Sequence, residues 1–156
     1  MGKAVEEEVE RTGSRDLTVS GDGTWQKRGH TSKNGVVTLI GVKSGKAIDT
    51  EVLSTSCQVC NLYKGPKEGE EYEEWLEAHQ GECSKNHDAA AGMVEVSGMT
   101  RIFERSKELY KVRYKEYIGK GDTKTFKTIS EIQPYGRRFK IEKVFLLTVL
   151  LCKFLL

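Results

Sequence analysis

The stretch Leu17-Thr-Val-Ser-Gly-Asp-Gly-Thr-Trp25 decides how the fold of this chain is interpreted. Leu17 and Val19 alternate with polar residues up to Asp22, and this alternation is typical of a β-strand with one buried face. Glycine on both sides of Asp22 predicts that the strand ends there with an exposed carboxylate. A carboxylate at the end of a strand is a candidate ligand for a divalent metal ion.

Three further strands and one helix are predicted from the same kind of pattern. Residues 35–42 form a central strand, and residues 47–53 form its antiparallel partner after a tight turn at Ser44-Gly45. Between residues 89 and 111, apolar side chains recur at spacings of three and four, which predicts an amphipathic helix. Residues 113–118 complete the pattern as a fourth strand. This order predicts a mixed α/β fold, with a three-stranded antiparallel meander, a helix and a fourth strand parallel to the first.

The fourth strand leads to a second aspartate beside glycine, in the stretch Ile118-Gly-Lys-Gly-Asp-Thr123. Taken singly, an aspartate next to a glycine is explained more simply as part of a turn. Taken together, Asp22 and Asp122 follow two strands that this order of elements would place side by side. Two such carboxylates could hold magnesium ions about 4 Å apart and serve metal-dependent phosphoryl transfer. Both are therefore candidate catalytic residues.

A cluster of cysteine and histidine lies between the third strand and the helix. Its spacing is Cys57-x2-Cys60-x18-His79-x3-Cys83, which supplies two close pairs of soft ligands for a tetrahedral zinc ion. A zinc ion with four protein ligands is closed to water, so the site is predicted to be structural. The alternative is four unconnected residues, one of them a plain core cysteine. His87 is a spare candidate ligand that is expected to be exposed.

The length of 156 residues is sufficient for one domain with a single core. A hydrophobic share of 37% and a charged share of 31% are those of a soluble protein. We expect a flexible segment at residues 1–15, the domain proper at 16–143 with a zinc-binding insertion at 54–88, and an apolar tail at 144–156. The tail is interrupted by Lys153 and is too short to span a bilayer, so it is a buried element or a non-native extension.

Charge is distributed unevenly along the chain. Residues 1–100 hold 11 Lys/Arg against 17 Asp/Glu, whereas residues 101–156 hold 14 against 6. A basic surface beside an acidic metal site favours a phosphodiester substrate, because Lys and Arg displace the counterions of phosphate. Lys27, Arg28 and Lys124, which follow the two aspartates, are therefore candidate DNA contacts. The alternative is that they belong to an ordinary solvated surface.

The first residues lack the apolar stretch of a secretory signal, so the chain is expected in a reducing compartment. In such a compartment Cys57, Cys60, Cys83 and Cys152 are better explained as metal ligands or free thiols than as disulfides.

Several motifs occur together and in a fixed order. They are Asp22-Gly-Thr-Trp-Gln-Lys-Arg-Gly-His30, Ser32-Lys-Asn-Gly-Val-Val37, residues 47–54, the Cys/His cluster, Arg101-Ile-Phe-Glu-Arg105 and Tyr117-Ile-Gly-Lys-Gly-Asp-Thr-Lys124. In this conjunction, residues 16–143 resemble the Mutator-like (MULE-type) transposase domain that is dispersed in arthropod genomes.

The resemblance implies a DDE recombinase core of ribonuclease H-like fold, present here in part. It implies Asp22 and Asp122 as the first and second catalytic acids, with Mg²⁺ or Mn²⁺ as the catalytic ion. It further implies transposon ends and target DNA as partners, metal-dependent strand cleavage and transfer as the ancestral reaction, a nuclear location and a homo-oligomer.

The departures from the family pattern concern the acids. Lys120 stands where the family typically has an acidic residue, and after Lys143 the pattern gives way to an apolar run without a third acid. The carboxylates downstream of Asp122 are Glu131 and Glu142, and both are expected to be surface charges. The resemblance therefore implies a truncated, inactive relative of the transposase.

Two alternatives remain open at this point. One is a zinc-stabilised module that binds DNA or protein without catalysis. The other is a metal-thiol protein unrelated to DNA, which would show no affinity for nucleic acid at low salt.

Overall fold

The structure is a computed structural model that describes residues 1–25, 33–88, 93–119 and 123–144. The helices are α1 (Gly2–Thr12), α2 (Gln58–Leu62), α3 (Glu70–His79), α4 (Val94–Tyr110) and α5 (Thr123–Ile132), with a short 3-10 helix at Gln80–Glu82. The strands are β1 (Asp16–Trp25), β2 (Asn34–Gly41), β3 (Ala47–Ser54), β4 (Arg113–Gly119) and β5 (Glu142–Lys143).

The five strands form one mixed sheet in the order β3-β2-β1-β4-β5. The first three strands are an antiparallel meander, β4 is parallel to β1, and β5 is parallel to β4. This arrangement confirms the predicted fold class and agrees with a partial ribonuclease H-like fold. The strand β5 and the helix α5 were not predicted from the sequence.

One face of the sheet is covered by α4. Leu17 and Val19 of β1 are fully buried on this face, as their alternation predicted. They pack in one core cluster with Met99, Ile102 and Phe103 of α4. Buried and half-buried residues alternate along the whole of β2, so the sheet keeps the two-residue period that the sequence pattern indicated.

Close packing of α4 on the sheet explains a glycine inside this helix. A Cβ atom at Gly98 would lie 2.5 Å from Val37 Cγ2 and 3.1 Å from Leu53 Cδ1. Glycine at this position lowers the intrinsic stability of the helix. It allows the helix backbone to approach β2 and β3 more closely than a larger residue would.

The segment at residues 1–15 was expected to be flexible, but the structure has a helix there that packs against the sheet. Val5 and Glu8 of α1 are fully buried. The Glu8 carboxylate accepts hydrogen bonds from the backbone N–H groups of Lys43 (2.9 Å) and Ser44 (2.6 Å) in the turn between β2 and β3. A buried carboxylate with two such donors is satisfied, and α1 is thereby held to the turn.

Other boundaries differ from the prediction in particular places. The strand β1 does not end at Asp22 but continues to Trp25, because its last residues pair with the start of β2. The helix α4 begins at Val94, and residues 89–92 of the predicted helix lie outside the described residues. The apolar tail from residue 145 onward also lies outside them. Within the described part of the chain, no helix is long and apolar enough to cross a membrane.

Replacing Gly98 with alanine tests the close approach of α4 to the sheet. Helix propensity alone favours alanine by about 1 kcal/mol, whereas the overlap with Val37 predicts a destabilisation of about 1–3 kcal/mol. The measurement is urea unfolding of Gly98→Ala beside Gly81→Ala, where an added Cβ meets nothing within 4 Å. A stabilised Gly98→Ala variant would contradict the packing.

Candidate metal centre and the strand edge around Asp22

Asp22 lies where the parallel pairing of β1 with β4 ends. The last paired residues are Gly21 and Gly119, and Asp22 is the next residue of β1. It also pairs with Thr38 of β2, and its side chain is exposed. Asp122 follows Gly119 by three positions and lies outside the described residues. The approach of the two carboxylates to each other stays a prediction.

The glycine before Asp22 is required by its neighbours. A Cβ atom at Gly21 would overlap Met99 Cε of α4 and would lie 2.8 Å from the Tyr117 ring of β4. Gly21 is therefore a packing position as well as a neighbour of the acid. It lets α4 and the β4 tyrosine meet over β1, on the face opposite to the Asp22 side chain.

A carboxylate on the face of β1 opposite to Asp22 was missed by sequence reasoning. Glu95, in the first turn of α4, comes within 3.3 Å (its Cβ) of the point where a Cβ of Gly23 would stand. Successive residues of a strand face opposite sides of the sheet, so Glu95 lies on the α4 side of β1 and Asp22 projects from the other side. In the sequence, the glycine at position 23 is the feature that indicated a close approach of another side chain to β1 at this point.

The four predicted zinc ligands are brought together by two short helices. Cys57 precedes α2 and Cys60 lies within it, while His79 ends α3 and Cys83 follows the 3-10 helix. One ligand atom from each residue lies within 4.8 Å of all the others. In the described part of the chain, this is the one group of three or more such side chains placed to hold a metal ion.

The distances within the cluster fit a single tetrahedral ion. Cys57 Sγ lies 3.3 Å from His79 Nε2, and Cys60 Sγ lies 3.6 Å from Cys83 Sγ. Two ligands of one tetrahedral zinc ion are separated by about 3.5–3.8 Å, given Zn–S and Zn–N distances of about 2.3 and 2.1 Å. The donor set of three sulfurs and one imidazole is also typical of zinc. The cluster could therefore hold a metal such as zinc.

Aromatic rings surround the histidine of the cluster. Trp75 stacks on His79 with ring centroids 5.0 Å apart, and Tyr63 and Tyr72 pack against Trp75 at 4.4 and 5.9 Å. Trp75 is thus a packing residue. The rings hold the imidazole in one orientation, which favours coordination through Nε2.

The thiols of the cluster have unequal proton affinities. The pKa of the Cys57 thiol is lowered to about 5, first by a hydrogen bond from the Ser84 side chain and then by backbone N–H groups of Cys60 and Ser84. The pKa of Cys60 is raised to about 11, first by burial and then by the neighbouring sulfurs of Cys83 and Cys57. A thiolate beside crowded thiols is a site where a divalent cation replaces protons.

The Cys/His segment is attached to the sheet through Asn86. Its backbone N–H donates to Ser54 O (3.0 Å), its side chain accepts from the Ser54 backbone N–H (2.8 Å), and its amide donates to Val52 O (2.9 Å). The neighbouring His87 was expected to be exposed, but it is only 4% exposed and lies outside the cluster. Its burial follows from the attachment of this segment to the end of β3.

The arginines of the Arg101–Arg105 motif have a structural role. Arg105 donates two hydrogen bonds to the buried Asp49 carboxylate, at 2.9 and 2.7 Å, and a further one to Glu51. Arg101 donates to Glu51 (3.1 Å) and to Asn86 O (2.6 Å). These contacts join α4, β3 and the Cys/His segment, and this pairing of charges was not foreseen from the sequence.

The candidate DNA contacts are only partly described. Lys124 is an exposed residue in the first turn of α5. Lys27 and Arg28 lie outside the described residues, in the connection between β1 and β2.

The family model of the Mutator-like transposase matches residues 2–145. The chain belongs to the Mutator-like transposase family. The match includes the whole described sheet, the Cys/His cluster, Asp22 and Asp122. No curated protein and no solved structure matches this chain significantly. Membership supports a transposase-related function and DNA as the partner.

Metal analysis of the purified chain tests the cluster. We expect about one zinc ion per chain, and loss of that zinc in Cys60→Ser and in Cys83→Ser because three ligands remain. Cys152→Ser is the matched control, since it removes a thiol that is not one of the four predicted ligands. The measurement is elemental analysis after dialysis against a weak chelator. Equal zinc content in all variants would contradict the assignment.

Zinc affinity should depend on pH in a direction given by the thiol pKa values. Cys57 is already ionised at pH 7, whereas Cys60, with a pKa of about 11, must lose its proton to bind metal. Affinity should therefore fall as pH decreases, by about tenfold or more from pH 8 to pH 7. Competition with a chromophoric chelator at the two pH values measures this, and unchanged affinity would contradict the protonated state of Cys60.

Proposed function

We propose that this chain carries the first part of a DDE-type transposase core and that it binds divalent metal and DNA at the strand edge around Asp22. The observation that carries the proposal is the parallel pairing of β1 with β4, whose last pair is Gly21 with Gly119. The family match supplies the DNA-acting context.

The pairing supports a shared metal site. Neighbouring strands lie about 4.8 Å apart, and the described pairing ends one residue before Asp22 and three residues before Asp122. Carboxylates that follow adjacent strands by so few residues can reach a common ion. Mg²⁺ or Mn²⁺ held there would activate the attacking oxygen and stabilise the leaving oxygen during strand cleavage and transfer.

Neither carboxylate downstream of Asp122 is placed to serve as the third acid of a catalytic site. Glu142 pairs in register with Glu116, three positions before Gly119, so it lies away from the end of the pairing. Glu131 lies near the end of α5, 3.9 Å from Lys127, and both side chains are exposed. We therefore propose that residues 1–156 alone bind metal weakly and cleave DNA at most at background level.

We further propose that zinc in the Cys/His cluster is structural. In α2 none of the residues is buried, and in α3 only His79 is. A segment with so little apolar burial gains its stability from ligands joined by a metal ion. We also propose a nuclear location and self-association, which the family match supports only through its DNA-acting context.

Broadening of NMR signals by Mn²⁺ tests the shared site. Mn²⁺ should broaden the amide signals of Gly21 and Gly119, while Gly45 in the β2–β3 turn serves as a distant reference. Asp22→Asn and Asp122→Asn should each remove this broadening, because one carboxylate holds the ion too weakly. Asp88→Asn, which changes an exposed carboxylate in the Cys/His segment, should leave the broadening unchanged.

Two outcomes would revise the proposal. If Asp122→Asn left the broadening intact, the two aspartates would not share an ion. If the purified chain nicked supercoiled DNA strongly with Mn²⁺ and both Asn variants abolished the cleavage, the chain would be an active nuclease. DNA binding that is insensitive to Asp22→Asn and lost on zinc chelation would instead favour a zinc-stabilised binding module.

A further inference from the structure

A groove between α5 and the segment that leads to β5 combines aromatic, polar and basic side chains. Its volume is about 370 Å³, and it is lined chiefly by Phe126, Ser130, Gln133, Arg137, Phe139 and Lys140. A cleft of this size accommodates a small ligand or one monomer of a polymer. It is separate from the Cys/His cluster.

The groove has a strongly basic rim. Residues 123–144 carry six Lys/Arg against two Glu. Arg137 and Lys140 are exposed, and neither side chain has a hydrogen-bond or ion-pair partner among the described residues. Cations that are not neutralised by the protein attract an anionic ligand, such as phosphate, to the groove.

The walls of the groove offer aromatic surface. Phe126 and Phe139 are half-buried. Arg113 stands over the Phe139 ring, with its guanidinium carbon 4.4 Å from the ring centroid, and Lys143 Nζ lies 5.9 Å from the centroid of Phe126. Rings held in place beside cations are typical of sites that receive the bases of a single strand.

Ser130 also lines the groove. Its Oγ atom is buried and makes no hydrogen bond among the described residues. An atom without exposed surface is not available to a ligand, so Ser130 contributes to the wall of the groove and not to a polar contact.

We propose that this groove binds one unpaired nucleotide of a DNA strand. The base contacts Phe126, and the adjoining phosphate binds Arg137 and Lys140. In a duplex the bases are stacked and paired, so their faces are not available to protein rings, whereas an unpaired base presents its face. The groove therefore selects single-stranded DNA.

The position of the groove is consistent with this role. α5 begins at Thr123, directly after the predicted second acid, and Phe126 lies about one helical turn further on. A strand seated in the groove would thus run along α5. The inference rests on the proposed action on DNA, but it does not depend on metal binding at Asp22.

The test uses the full chain and a short fluorescent oligothymidylate in anisotropy titrations. Arg137→Gln and Lys140→Gln should each weaken binding about fivefold and lower the slope of log affinity against log salt by about 0.7, the value for one lost phosphate contact on a single strand. Arg138→Gln is the matched control, because it removes the same charge at an exposed neighbour that does not line the groove.

A second variant tests the contribution of the base. Phe126→Leu keeps an apolar side chain and should weaken binding about fivefold or more, as expected for one lost base contact. An abasic strand should bind equally well to Phe126→Leu and to the original chain. The thermal unfolding midpoint of each variant checks that the fold is retained.

Three results would overturn the proposal. They are equal effects of Arg137→Gln and Arg138→Gln, a duplex that binds as tightly as the single strand, and no binding of the oligothymidylate at low salt. A failure here is distinguishable from failure of the metal site, because these titrations contain no divalent metal and leave Asp22 and Asp122 unchanged.

Discussion

Side-chain packing at the end of the β1–β4 pairing depends on the small size of Gly21. This residue lies under Met99 of α4 and beside the Tyr117 ring of β4, and no Cβ atom fits between them. Because the helix and the strand meet at this point, the edge of the sheet at Asp22 is held by the core rather than by a loop. Asp22 thus projects from a strand that is held by the core.

A second set of interactions couples the Cys/His segment to the same core. Arg101 and Arg105 of α4 neutralise Asp49 and Glu51 of β3, and Arg101 also donates to Asn86 O. Asp49 is nearly fully buried, so its charge must be compensated by such a partner. The segment is therefore secured at one end by hydrogen bonds to β3, while Trp75 packs against His79 and Tyr63 within it.

Charge is divided between two parts of the described chain. The α3 helix carries five glutamates, whereas the groove beside α5 carries basic side chains. A polyanion is repelled by the first surface and attracted by the second. The basic side of the described chain is therefore the side of α5.

Sequence by itself determined the elements whose signal is local: the alternation in β1 and β2, the turn at Ser44-Gly45, the helix around Phe103 and the spacing of the four metal ligands. Tertiary structure decided what depends on distant partners. α1 forms because Glu8 is buried against the backbone of a turn some 35 positions away, β1 continues past Asp22 because β2 pairs with it, and Glu95 reaches Gly23 because α4 lies across the sheet. Propensity and periodicity report neighbours along the chain, whereas these features depend on residues that only folding brings into contact.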